Sequence, residues 1–143
     1  MGGAAAAIGF WIADFGLDVI TVTIAFLLAW SAAECGADMV CGVGARGELG
    51  PFQIGPAVWE GRRCDGDPWS WEDSARCAEG YLQNLAVRQG CEENRLPWAL
   101  ASYNWGIGNV VELQQEQGCD VRNLPEHVYW YAVIGMPDPP GAM

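Results

Sequence analysis

A single glutamate, Glu34, stands where an apolar segment gives way to a glycine-rich one. Residues 19–33 carry no ionisable side chain, and five glycines follow between Gly36 and Gly50. A carboxyl group held against an apolar wall resists ionisation, because desolvation can raise the pKa of a buried Glu by up to about 3–5 units. Such an acid stays protonated near neutral pH and suits general acid catalysis. An alternative interpretation is that Glu34 is the first solvated residue after a core helix.

Two motifs follow Glu34 along the chain. The first, G-P-F-Q-I at residues 50–54, places Gln53 nineteen residues after Glu34, and the second, A-L-A-S-Y-N-W-G-I-G-N-V, occupies residues 99–110. In this order they resemble the motifs of the lytic transglycosylase and goose-type lysozyme families. In those families a catalytic Glu ends a helix, and a Gly-Leu-Met-Gln-like turn and an Ala-Tyr-Asn-x-Gly-x-Gly-x-Val segment follow. The resemblance extends over residues 17–136.

The resemblance implies an all-α fold of the α+β lysozyme-like kind, a single domain with helices around a glycan cleft. It implies cleavage of the MurNAc–GlcNAc β-1,4 bond of peptidoglycan, with Glu34 as the catalytic acid. Gln53, Tyr103 and Asn104 would then line the cleft and bind the substrate. Trp105 stands where the families more often have a small residue, so it would narrow the cleft or add a stacking surface.

Two further aromatic positions are candidates for the cleft. A final helix starting at Pro125-Glu126 resembles the families' last helix, in which a tyrosine contributes to the site. Trp130 stands on the position of that tyrosine, and we assign the role to the neighbouring Tyr131. Trp59, shortly after the G-P-F-Q-I motif, is a second tryptophan suited to sugar stacking.

The acids available near Glu34 decide between lyase and hydrolase chemistry. An inverting hydrolase needs a second carboxylate about 6.5–9.5 Å away, and a retaining one needs it at about 5–5.5 Å. Goose-type lysozymes have aspartates where this chain has Ala45 and Gly55. We therefore predict a lytic transglycosylase that forms 1,6-anhydro-MurNAc, with Glu34 as acid and then base. The alternative is a hydrolytic muramidase that uses Glu34 with Glu48 or Asp38.

Composition excludes several other functions. The seven basic residues are all Arg and the net charge is −11, which argues against nucleic-acid binding. His127 is the only histidine and no C-x-x-C pair occurs, so we expect neither a metal site nor a cofactor. An alternative of a different class is a glycan-binding or virion-structural protein that kept the fold and lost turnover.

Six cysteines are many for 143 residues, and an even number indicates three disulfides. Short loops favour pairing Cys35 with Cys41 and Cys64 with Cys77, which leaves Cys91 for Cys119. Disulfides indicate an extracytoplasmic protein, whether periplasmic, secreted or part of a phage virion or lysis system. The alternative is a cytosolic protein with six buried thiols.

The N-terminal residues are apolar enough to raise the question of a membrane. We expect a first segment, residues 1–16, with a helix over about 4–15, and a second helix over 18–33 with Asp18 as its N-cap. Asp14 and Asp18 interrupt the run, and each would cost roughly 2.5–3.5 kcal/mol near a bilayer centre. We therefore predict that residues 19–33 are buried in the domain, with membrane association through Phe10 and Trp11 as an alternative.

The rest of the domain, residues 17–136, is expected to be helical apart from a short loop or β-like turn at 42–50 and a surface loop around Pro68, and residues 137–143 form a Pro-rich tail. Ser70 and Asp73 predict a capping box that opens a helix running to about Gln89. Its predicted inner residues are Ala75, Ala78, Leu82, Leu85 and Ala86, and its predicted outer residues are Arg76, Glu79, Gln83 and Arg88. Pro97 is expected at the first position of the next helix, and Gly118 at the end of the one after it.

Overall fold

The structure is a computed structural model that describes residues 22–36 and 41–134. Six α-helices and one 3₁₀ turn account for most of these residues. They are α1 (Ile24–Cys35), α2 (Pro56–Gly61), α3 (Trp71–Arg88), α4 (Arg95–Trp105), α5 (Ile107–Gln117), the 3₁₀ turn Val121–Asn123 and α6 (Glu126–Ala132). Extended pairing within the described ranges amounts to one isolated antiparallel bridge, between Leu49 and Ile54. The described chain is therefore mostly helical, in agreement with an all-α class.

The chain divides into two compact units, and the boundary falls inside α3, between Tyr81 and Leu82. The described residues of the first unit are 22–36 and 41–81, and those of the second are 82–134. The predicted helix at 4–15, Asp38 and the tail at 137–143 lie outside the described residues.

Helix α1 begins later than predicted. Val22 and Thr23 are not helical, and Thr23 is the N-cap, because its hydroxyl accepts a hydrogen bond from the N–H of Phe26 at 3.1 Å. The predicted start at residue 18 is therefore wrong, and Asp18 itself lies outside the described residues. The helix ends at Cys35, so Glu34 lies in its last turn.

Only one face of α1 is buried. Phe26, Leu27 and Trp30 are buried, whereas Ile24 and Leu28 are 40% and 49% exposed. Within residues 22–33, the described part of the segment 19–33, the prediction of burial is thus correct for the inner face of α1 and wrong for its outer face. No helix in the described ranges is long and apolar enough to cross a membrane.

An aromatic cluster forms the core of the first unit. The rings of Trp30 and Phe52 pack edge to face with centroids 5.1 Å apart, and Phe52 packs against Trp71 at 5.7 Å. The indole N–H of Trp71 donates to the hydroxyl of Ser31 at 3.1 Å. These contacts join α1, the G-P-F-Q-I turn and the start of α3.

Helix α3 follows its predicted pattern with two exceptions. All five predicted inner residues are buried, and Ser70 caps the helix by accepting from the N–H of Asp73 at 3.3 Å. The Asp73 carboxylate does not complete a capping box, because it accepts from the N–H of Asp67 and pairs with Arg76. The second exception, Glu79, is described with the site below.

The second unit is built from α4, which packs against α5 and α6. Its core residues are buried and mostly apolar: Cys91, Trp98, Ala101, Val110, Leu113, Val121, Leu124, Val128, Tyr129, Ala132 and Val133. Helix α4 begins at Arg95, so Pro97 is its third residue and the prediction of the first position is wrong. Helix α5 ends at Gln117 as predicted, followed by Gly118 with φ of 89°.

All three predicted disulfides are confirmed. Cys35 pairs with Cys41, Cys64 with Cys77 and Cys91 with Cys119, which close separations of 6, 13 and 28 residues. The first two lie in the first unit and the third lies in the second. Three disulfides are consistent with an extracytoplasmic protein.

Candidate functional site

A disulfide ties the end of α1 to the glycine-rich turn. Glu34 is half-buried in the last turn of the helix, and the next residue, Cys35, is bonded to Cys41 with their Cα atoms 5.0 Å apart. Cys41 is followed by Gly42, whose carbonyl accepts a hydrogen bond from the side-chain amide of Gln53 at 3.2 Å. The helix end with Glu34 and the motif residue Gln53 are thus linked through one covalent bridge and one hydrogen bond.

Backbone hydrogen bonds stabilise the turn between Cys41 and Gln53. The N–H of Gly44 donates to the carbonyl of Glu48 at 2.8 Å, and the N–H of Gly47 donates to the carbonyl of Gly44 at 3.0 Å. Leu49 and Ile54 then exchange a pair of hydrogen bonds, both 3.0 Å long. The predicted β-like turn is confirmed. Its hydrogen bonds fix the backbone of the segment that carries two predicted site residues, Glu48 and Gln53.

Gln53 occupies an unusual backbone conformation, with φ of +50°. This left-handed region is sparsely populated by residues other than glycine, so the surroundings must stabilise it. The Gln53 side chain supplies part of that stabilisation, because its amide nitrogen donates to the carbonyls of both Gly42 and Gly50, the latter at 3.0 Å. The amide nitrogen is therefore committed to the turn, which leaves the amide oxygen as the group available for chemistry.

Glu48 is an ionised carboxylate held by backbone donors. Hydrogen bonds from its own backbone N–H and from that of Arg46, the latter at 2.8 Å, hold the pKa of Glu48 below its usual range. A carboxylate with a lowered pKa is ionised at neutral pH and has no proton to donate. Glu48 therefore suits the role of base or nucleophile and not that of general acid.

The side-chain ends of Glu48 and Gln53 both lie beside Gly44, at the place where a Cβ atom would stand. A Cβ atom built on Gly44 would collide with Oε1 of Glu48 and with Oε1 of Gln53. The two oxygens thus occupy the space that only a glycine leaves empty. The sequence predicted both side chains as site residues, but it did not indicate that Gly44 brings them together.

Glu79 is the residue that sequence reasoning placed wrongly. It was predicted on the outer face of α3, but it is 1% exposed, and its Oε2 has no hydrogen-bond partner among the protein atoms. Burial raises the pKa of Glu79 to about 8. Its spacing from Ala75 and Leu82, four residues before and three after, was the signal that places it on the inner face.

Glu79 thus has the property that the sequence led us to expect of Glu34, an acid kept protonated near neutral pH by burial. It belongs to the first unit together with Glu34, Glu48 and Gln53. Trp59, the other candidate in this unit, lies half-buried in α2.

The second unit carries the residues of the other motif. Tyr103, Asn104 and Trp105 form the last turn of α4, which Gly106 ends with φ of 101°. Tyr103 is half-buried and Asn104 is exposed. Trp105 packs against the core of this unit, and its carbonyl accepts from the side chain of Asn109 at 2.8 Å. Trp105 therefore contributes to packing as well as to the surface.

The three adjacent aromatic residues of α6 differ in exposure. Tyr129 is buried in the core of the second unit, and Trp130 is 53% exposed. Tyr131 is half-buried, so of the two tyrosines, Tyr129 and Tyr131, it is the one that reaches the surface. Because α4 packs against α6, the two site segments of this unit belong to one packed helical pair.

The described residues contain no group of three His, Cys, Asp or Glu side chains that could hold a metal ion. Comparisons with protein-family models, with curated proteins and with solved structures gave no match to this chain. Indications of function therefore come from the motifs and from the local geometry of their residues.

Proposed function

We propose that this protein cleaves the MurNAc–GlcNAc β-1,4 bond of peptidoglycan as a lytic transglycosylase of the lysozyme-like kind. One observation carries the proposal: the helix end that holds Glu34 is bonded through Cys35–Cys41 to the turn that holds Gln53 and Glu48. A fixed spacing between an acid and the groups that orient a substrate is what glycosidic bond cleavage requires. The motif order, with Tyr103 and Asn104 in the second unit, supports the same assignment.

In the proposed reaction Glu34 first acts as an acid and protonates the oxygen that leaves C1 of the MurNAc ring. The substrate's own N-acetyl group stabilises the positive charge that develops at C1. Glu34, now ionised, then removes the proton from the C6 hydroxyl of the same sugar, and O6 bonds to C1. The products are a 1,6-anhydro-MurNAc end and a free GlcNAc hydroxyl, and no water is consumed. Gln53 of the first unit, and Tyr103, Asn104 and Tyr131 of the second, are the proposed substrate-binding residues.

Hydrolysis is the second candidate, and the ionised state of Glu48 favours it. A carboxylate whose pKa is lowered by backbone donors can activate water or attack C1, which are the two roles open to the second carboxylate of a glycosidase. In that case Glu34 would remain the acid and Glu48 would supply the base or nucleophile. The natural setting for either reaction is extracytoplasmic, as a secreted, periplasmic or virion-associated protein.

Mass analysis of the soluble products from purified peptidoglycan tests the function. We expect fragments with anhydro-MurNAc ends, each one water lighter than a hydrolytic product. The digestion is run in isotopically labelled water, so that incorporation of the label at the new reducing end would establish hydrolysis instead. Binding of the protein to peptidoglycan without release of any fragment would contradict both reactions and indicate a glycan-binding protein.

A further inference from the structure

The Cys35–Cys41 disulfide lies directly beside the proposed acid. Cys35 follows Glu34 and is the last residue of α1, and Cys41 precedes Gly42, which accepts a hydrogen bond from Gln53. The bridge therefore fixes the position of Glu34 relative to the turn. It does so over a separation of 6 residues, the shortest of the three disulfides.

This disulfide is also the one in which both cysteines, Cys35 and Cys41, are partly exposed. Each of the other bridges has one buried partner, since Cys77 is 5% exposed and Cys91 is 3% exposed. Thiol–disulfide exchange requires a thiolate to reach a sulfur of the bridge, so exposed disulfides are the ones that are reduced first.

Other contacts would keep the first unit folded after this bridge opens. Helix α1 is held by the packing of Trp30 against Phe52 and by the hydrogen bond from Trp71 to Ser31. The turn keeps the Leu49–Ile54 pair and the bonds within its own backbone. Opening the bridge thus removes the covalent tie at the end of α1, beside Glu34, while the packing of Trp30 against Phe52 still joins α1 to the turn.

We infer that Cys35–Cys41 is a redox-sensitive positioning bridge, which holds Glu34 at the glycine-rich turn when oxidised and releases it when a dithiol reduces it. One thiolate of the dithiol attacks a sulfur of the bridge, and its second thiolate resolves the mixed disulfide. The bridge takes up two electrons and two protons and becomes two thiols, while the dithiol becomes a disulfide. The effect on catalysis rests on the proposed function, but the order of reduction does not.

Stepwise reduction of the folded protein with dithiothreitol, followed by alkylation and peptide mass mapping, tests the inference. Cys35 and Cys41 should become alkylated before the other four cysteines. Activity on peptidoglycan in the same samples should fall on the order of 10–100-fold, because a displacement of about 1 Å at a catalytic group has an effect of this size. The fall should be in kcat with KM little changed, the circular dichroism should stay helical, and reoxidation should restore activity.

Paired variants provide the matched control. Cys35→Ser/Cys41→Ser should have the low activity whether or not dithiothreitol is present, and Cys64→Ser/Cys77→Ser should lose activity on reduction as the parent does. Earlier opening of either other bridge, or full activity after selective opening of Cys35–Cys41, would overturn the inference. If the oxidised parent does not cleave peptidoglycan, the proposed function fails, and the order of alkylation still decides whether this bridge is the redox-sensitive one.

Discussion

Gly44 leaves room for the side-chain ends of two predicted site residues, Glu48 and Gln53. Its α-carbon faces Oε1 of Glu48 and Oε1 of Gln53, so a methyl group there would displace both side-chain ends. Both ends also carry hydrogen bonds of the turn, from Gln53 to Gly42 and Gly50 and from the N–H of Arg46 to Glu48. We therefore expect Gly44→Ala to lower the free energy of unfolding by about 1–3 kcal/mol. Activity on peptidoglycan should fall by at least about 10-fold, because the displaced groups are those proposed to orient the substrate.

Gly42→Ala is the matched control for this substitution. It adds the same methyl group to the same turn, but nothing lies within 4 Å of the Cβ position at Gly42. Initial rates of fragment release and urea unfolding curves for both variants measure the two effects. Equal activity of Gly44→Ala and Gly42→Ala would show that the Glu48–Gln53 pair has no part in the reaction.

Glu79 should make the stability of the protein depend on pH. Its pKa is about 8 in the folded protein against an ordinary value of 4.5, so between these values the folded state holds a proton that the unfolded state has released. The stability that protonation provides is complete below pH 4.5 and is lost as the pH rises toward 8. The free energy of unfolding should decrease over this window, by on the order of a few kcal/mol.

The variant Glu79→Gln isolates this contribution, because its amide is neutral at every pH. Urea unfolding with the disulfides intact should show that the stability of Glu79→Gln relative to the parent increases between pH 5 and pH 8. Glu72→Gln, an exposed position on the same helix, should show no such trend. Parallel pH profiles for Glu79→Gln and the parent would mean that Glu79 is ionised in the folded protein.

Two buried glutamines, Gln89 and Gln114, connect the turn that follows α3 to helix α5 through hydrogen bonds. The Gln114 side chain donates to Gln89 at 2.8 Å and accepts from the N–H of Gly90 at 2.9 Å. Gln89 in turn bonds both the N–H and the carbonyl of Cys91. These contacts satisfy the polar groups of a turn that enters the core of the second unit.

Replacing Gln114 by Met keeps the length of the side chain and removes both hydrogen bonds. Because the N–H of Gly90 and the amide oxygen of Gln89 would each lose a partner, we expect a loss of about 1–3 kcal/mol in the free energy of unfolding. Gln115→Met, an exposed neighbour on α5, should change stability by less than about 0.5 kcal/mol. Thermal unfolding of the two variants, compared with the parent, gives both values.

The elements also show where sequence was informative. Helix α3 was predicted well, because Ser70 is a strong cap and the small apolar residues repeat with helical spacing. The start of α1 was predicted poorly. Its apolar run has no change in residue spacing that would mark where a helix begins, and the observed cap is a hydrogen bond from the N–H of Phe26 to the hydroxyl of Thr23. Glu79 was assigned to the surface because its charge outweighed its position in the helical repeat.

The sequence predicted a set of site residues but not how those residues are arranged in space. Glu34, Gln53 and Glu48 followed from motif and charge, and the Cys35–Cys41 pairing followed from the short loop. The convergence of Glu48 and Gln53 beside Gly44 did not follow, because four glycines precede the motif and the sequence does not show which of them these side chains approach. The left-handed conformation of Gln53 is likewise invisible in a sequence, since residues other than glycine rarely adopt it.

For the whole molecule, the three disulfides should contribute unequally to stability. A bridge that closes a longer loop restricts the unfolded chain more, which gives about 2 kcal/mol for Cys35–Cys41 and about 3.5 kcal/mol for Cys91–Cys119. We therefore expect urea midpoints to fall least for Cys35→Ala/Cys41→Ala and most for Cys91→Ala/Cys119→Ala. The reverse order would show that the bridge beside Glu34 is chiefly structural.

The role of Glu34 as the catalytic acid is tested by the rate at which Glu34→Gln releases soluble fragments from purified peptidoglycan. Removing the acid should lower that rate by at least about 100-fold, as expected for loss of general acid catalysis, with unchanged circular dichroism and urea midpoint. Glu60→Gln, which makes the same change at an exposed position in the same unit, should retain the parent rate. Parent-like release by folded Glu34→Gln would contradict the assignment of Glu34 as the catalytic acid.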